Sequence, residues 1–107
     1  MRNPVAPSVD IKLDKKRKLI LDLNAMVAFE DEAGKSVAEI GANMSMKDMR
    51  ALLWAALLAE DPDVTLDTVG KHIYPQRLQE LSGLIDKLFT VSMPDAESTT
   101  EEPEGKN

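Results

Sequence analysis

Residues Met46 to Glu60 constrain this chain more than any other segment. Met46, Met49, Leu53, Ala56 and Leu57 recur at spacings of three and four, the signature of one helical face. Trp54 and Leu58 lie on a different flank, with small Ala51, Ala55 and Ala59 between them. From Ala51 onward the helix is apolar all round. Such a helix is either enclosed on several sides or presents a sticky face to a partner. The uninterrupted apolar run, Ala51 to Ala59, is nine residues long. A membrane-spanning helix needs roughly 18–20, so no membrane is expected as a partner. The whole chain has 107 residues. It is therefore one domain, which excludes a barrel enzyme of about 250 residues. A chain this short buries only roughly 60–70% of its unfolded surface, so one enclosed helix is a large part of its core.

The flanking sequence supplies what encloses that helix. Residues 1–8, with Pro4 and Pro7, read as a flexible lead. Val9, Ile11 and Leu13 alternate with Asp10 and Lys12, a strand period with one apolar face. Leu19, Leu21 and Leu23 share a face in the same way. The polar stretch Asp14 to Lys18 between them reads as a hairpin turn, although it lacks an Asn-Gly signal. Asn24 is placed to cap a helix that Gly34 ends in a left-handed conformation. Ser36 and Glu39 have capping-box spacing and open a short turn toward Gly41. Ser45 and Asp48 begin the central helix similarly. Asp61-Pro62 ends it, and Thr65 or Asp67 caps a short helix carrying Leu66, Val69 and Ile73. Pro75 suits the first turn of a last helix. There Leu78, Leu81, Leu84 or Ile85, and Leu88 form a stripe expected to pack across the Trp54 helix.

The expected architecture is α+β: an N-terminal β-hairpin packed on a small bundle of about four helices. The folded domain is expected over residues 9–91. Residues 92–107, with two prolines, five acids and almost nothing apolar, are expected to be a disordered acidic tail.

Composition narrows the chemistry. The formal net charge is −6, and there are no cysteines and one histidine. Disulfides and thiolate metal sites are therefore excluded. Residues 1–18 hold six bases against two acids, whereas residues 19–91 hold twelve acids against six bases. An acidic body argues against nucleic acid as partner, since phosphate neutralisation needs a basic face. Lys15-Lys16-Arg17-Lys18 is the only basic cluster, and no aromatic residue interleaves it to stack on bases. It reads first as a solvated turn, and otherwise as a localisation signal, a nucleic-acid contact or a docking point for an acidic partner. No Gly-rich phosphate loop, zinc motif or nucleophile elbow is present. Asp61, Asp63 and Asp67 lack the glycine and the terminal glutamate of a calcium loop, and read as a helix stop followed by a cap. His72 stands near the end of a short helix, where a positive charge complements the dipole. No cofactor or metal is expected, and enzymatic activity is not.

The methionines carry more information. Met44, Met46 and Met49 cluster at the start of the central helix. Methionine adapts its shape and recurs on promiscuous binding surfaces. Met49 reads first as a core residue, and Met44 and Met46 are the better candidates for a partner groove. Together with Trp54 and Leu58 they mark the region expected to contain a partner-binding surface.

Several stretches together resemble the tail assembly chaperones of long-tailed bacteriophages and gene transfer agents. These are Leu19 to Met26, Phe29-Glu30, Met49 to Leu57 with its Leu52-Leu53-Trp54-Ala55, Glu60-Asp61-Pro62, and Leu66 to Ile73. The likeness covers about residues 9–90, and these are packing motifs rather than catalytic ones. It implies a protein that binds the tape measure protein, keeps it soluble and helps recruit tail tube subunits. It also implies residence in the host bacterial cytoplasm and absence from the mature virion. A longer form, commonly made by ribosomal frameshifting one base backwards, is implied as the link to tube subunits. Gly105-Lys106-Asn107 can be encoded by GGA-AAA-AAC, which contains a heptamer on which a ribosome can slip. The competing expectation is a small acidic regulatory or antitoxin-like module that binds a basic partner.

Overall fold

A computed structural model describes residues 7–40 and 44–92. The expected lead lies mostly outside the described residues, as does the expected tail from residue 93 on. Strands β1 (Val9–Lys12) and β2 (Lys16–Leu19) form an antiparallel hairpin in which Val9 faces Leu19 and Lys12 faces Lys16. Val9, Ile11 and Leu13 are buried while Asp10 and Lys12 are exposed, as the alternation requires.

The turn is tighter than the sequence suggests. It comprises only Leu13 to Lys15, closed by a 3.0 Å bond from the Leu13 N–H to the Lys15 carbonyl. Lys16, Arg17 and Lys18 therefore belong to β2 rather than to the turn. Arg17 stands opposite Ile11 with its side chain only 11% exposed. Its guanidinium is accommodated there because Asp14 and Asp61 both pair with it. Leu21 is buried beyond the strand, but Leu23 is 73% exposed, because the chain has already turned into a helix.

That helix, α1, spans Leu23–Ala33. Its cap is Asp22 rather than Asn24: the Asp22 carboxylate accepts from the Ala25 N–H at 2.8 Å. Capping one residue past buried Leu21 turns Ala25 and Phe29 into the core. Gly34 ends α1 at φ 76°, with its N–H on the Glu30 carbonyl, the expected left-handed stop. Val37–Glu39 is a single 3-10 turn that buries Val37. Ser36 forms no capping box, because the Glu39 N–H already bonds the Ser36 carbonyl at 3.0 Å.

The central helix α2 spans Met46–Leu57 and stops short of Glu60. Its N-terminus carries a full capping box. The Asp48 N–H donates to Ser45 Oγ at 3.0 Å, and the Ser45 N–H to Asp48 Oδ2 at 3.2 Å. Ala51, Leu52, Leu53, Ala55, Ala56 and Leu57 are all buried. The all-round apolar segment is thus enclosed: α1, β2 and a short helix α3 (Leu66–Lys71) pack around it. The Ile20 N–H donates to the Ala56 carbonyl at 2.9 Å, which locks the hairpin to α2. Thr65, not Asp67, caps α3 by accepting from the Thr68 N–H at 3.1 Å.

Pro75–Arg77 forms a 3-10 turn that runs directly into α4 (Leu78–Ser92). The α4 stripe buries Leu81, Ile85 and Leu88. The helix packs on β1, and its first half also faces α2, where Leu78, Ser82 and Ile85 stand across from Met46 and Met49. Arg77 fixes this arrangement by donating to the Lys12 carbonyl at 2.7 Å. The result is α+β, a hairpin on a bundle of four helices, with one apolar cluster running from Val9 to Leu88. Among the described residues, no helix is long and apolar enough to cross a membrane.

Candidate functional site: a methionine-lined trough

The capping box sets the first turn of α2, and with it the direction of three methionines. Met49 points into the core and is buried. Met44, just before the cap, is half-buried against that core. Met46 is 58% exposed. Two depressions meet at this point.

The first, of about 210 Å³, lies between α2 and the chain leaving α3. Met46, Met49, Arg50 and Leu53 form one wall, and Ile73, Tyr74 and Pro75 the other. Its floor includes Val69 and Gly70. The aliphatic stem of Arg50 lies across Gly70, where an added Cβ would meet its Cδ at 3.4 Å. The second, of about 270 Å³, lies between the same methionines and α4, where Ser82, Ile85 and Asp86 line it. Met46, Met49 and Leu78 border both, so the two lie side by side as the halves of one trough, with these residues between them. Its rim exposes two large apolar side chains, Met46 and Tyr74.

Of the five residues singled out from the sequence, Met44, Met46 and Met49 come together here. Trp54 and Leu58 do not. Trp54 is half-buried, and its indole N–H donates to the Val64 carbonyl at 3.0 Å, tying α2 to the segment before α3. Leu58 is half-buried against the core just past the end of α2. The sequence reading missed Ile73, Tyr74 and Leu78. Ile73 was expected on the short helix and Leu78 on the stripe of the last one, but α3 ends at Lys71, so Ile73 falls in the connector with Tyr74 and faces the trough.

Arg17, Asp48 and the acidic trio's Asp61 and Asp67 are committed to structure. Arg17 donates through Nε and Nη2 to Asp14 and through Nη1 to Asp61 at 2.9 Å. This joins the hairpin turn to the segment after α2 and holds the Asp14 carboxyl down at about 2. Asp48 is buried. The Ser45 backbone N–H and the Lys35 ammonium, 3.0 Å away, lower its pKa against the opposing cost of burial. Of the acidic trio, Asp61 also accepts from the Asp63 N–H, and Asp67 pairs with Lys71. Among the described residues no three His, Cys, Asp or Glu side chains gather where they could hold a metal ion. His72 caps the end of α3, with its Nδ1 2.8 Å from the Thr68 carbonyl.

No protein-family model, curated protein or solved structure matches this chain. The trough and the residue pattern are therefore the grounds for a functional reading.

Proposed function

We propose that this protein is a non-enzymatic tail assembly chaperone that binds and solubilises a tape measure protein. The observation that carries the reading is the trough, in which a buried, a half-buried and an exposed methionine meet beside an exposed tyrosine. An elongated helical client presents amphipathic surface of varying sequence. A groove suited to such a client needs apolar walls that change shape at little cost, and unbranched thioether side chains provide them. The order of elements also agrees with the residues that carry the resemblance. Phe29 anchors α1, the Leu52-Leu53-Trp54-Ala55 run is the enclosed centre of α2, and Val69 and Gly70 lie in α3. An acidic body keeps such a complex dispersed through self-repulsion. Recruitment of tail tube subunits falls to a longer, frameshifted product. Co-expression with the tape measure protein of the same genome tests the reading. A soluble complex eluting as one peak in size exclusion is expected. An insoluble client and no complex would overturn it.

A further inference from the structure

We propose that the trough pairs with the same trough on a second copy of this chain, forming a two-fold symmetric dimer. The proposal concerns the protein without its client and goes beyond the chaperone reading.

Three features of the trough make it complementary to itself. Met46 projects as an exposed ridge, with a depression on each side of it. Rotation by half a turn about an axis beside Met46 sets the ridge of one copy over a hollow of the other. Each hollow has room for an unbranched methionine side chain, which can adapt to it. The two ends of the trough also carry opposite charges. Arg50 lines only the depression toward α3, and Asp86 lines only the depression along α4. Both are exposed, and neither is ion-paired among the described residues. Under a two-fold axis each end meets its opposite, so Arg50 faces Asp86 twice. This is the condition for an isologous interface, in which one patch serves both partners. The same rotation covers Tyr74, the other exposed apolar side chain of the rim. A client helix bound in the trough and a second copy would then exclude one another.

The charge pattern gives a test that does not need the client. Sedimentation of the full chain over a concentration series up to about 1 mM is expected to show a monomer–dimer equilibrium. Arg50→Glu alone and Asp86→Arg alone each place like charges opposite one another at two symmetric contacts. Each is expected to raise the dissociation constant at least about tenfold. The double variant Arg50→Glu/Asp86→Arg is expected to dimerise again, within about threefold of the parent. An equimolar mixture of the two single variants is expected to form a heterodimer, because one is then acidic and the other basic at both ends of the trough; recovery of the double variant is what reports the antiparallel pairing. Circular dichroism of each variant establishes that it is folded. A monomer at every concentration, or a dimer indifferent to both charge reversals and to Met46→Ala, overturns the proposal. Complex formation with tape measure protein in either of those cases leaves the chaperone reading standing, so the two fail separately.

Discussion

Gly34 holds φ +76° at the end of α1, with open space where a Cβ would stand. Replacing it with alanine therefore meets no clash, only the left-handed backbone cost of roughly 1–2 kcal/mol. Gly83, inside α4, also has open space around it but carries no such constraint. Gly83→Ala is expected to stabilise by roughly 0.5–1 kcal/mol through the unfolded chain's lost freedom. Urea midpoints that move in opposite directions for the two variants would bear this out. Arg17→Lys tests a different kind of contact. One ammonium cannot make the three-nitrogen fork to Asp14 and Asp61, and a loss of about 1–2 kcal/mol is expected, moderated by the partial exposure of both carboxylates. Thermal unfolding of the folded variant checks it. Gly34 was readable from sequence because a helix stop is a local event. Arg17 was not, because its second partner lies 44 residues away along the chain and only the fold brings them together.

At the scale of elements, α2 is both the most legible part and the most consequential. Its capping box, Ser45 with Asp48, is a four-residue pattern that propensity alone resolves. Ser45→Ala is expected to cost about 1 kcal/mol and to loosen the turn that aims the methionines. Faster amide hydrogen exchange over the first turn of α2 is the measurement. The enclosure of α2 was one of the two outcomes its all-round apolar sequence allowed, and packing of α1, β2 and α3 around it decides between them. The second strand was legible but its place was not: it runs over Lys16–Leu19 instead of Leu19 to Leu23. Lys16-Arg17-Lys18 carries no strand propensity of its own and pairs because β1 imposes its register. The cap of α1 slipped from Asn24 to Asp22 for a similar reason. Both residue types cap well, and the burial of Leu21 and Phe29 decides between them. The α4 stripe was read correctly, and it meets β1 as well as the expected α2. Periodicity states which face is buried and is silent on what covers it, and β1 was the neighbour it did not name. The trough shows the same division: its methionines were visible as a local cluster. The Ile73-Tyr74-Pro75 wall was hidden in a connector, and Trp54 and Leu58 lie apart from both.

For the whole molecule, acid sensitivity follows from carboxylates whose pKa values fall on folding. The carboxyls of Asp48, Asp14, Asp10 and Glu80 are all lowered by hydrogen-bonded or cationic partners, Asp14 to about 2. A depressed folded value means stability that is fully present above the unfolded pKa and is lost as pH falls through the folded one. The urea midpoint is therefore expected to hold steady down to about pH 5 and to fall between about pH 4 and pH 2. Asp48→Asn is expected to start lower and fall less steeply, since the buried carboxylate no longer contributes. The functional account depends on one surface of this molecule, the trough around Met46. Met46→Asp leaves the fold in place, because Met46 is exposed and an acid suits the first turn of a helix. The decisive measurement is the soluble fraction of tape measure protein co-expressed with the parent chain and with Met46→Asp. The account predicts a soluble client with the parent and an insoluble one with the folded variant; equal client solubility with both would contradict it.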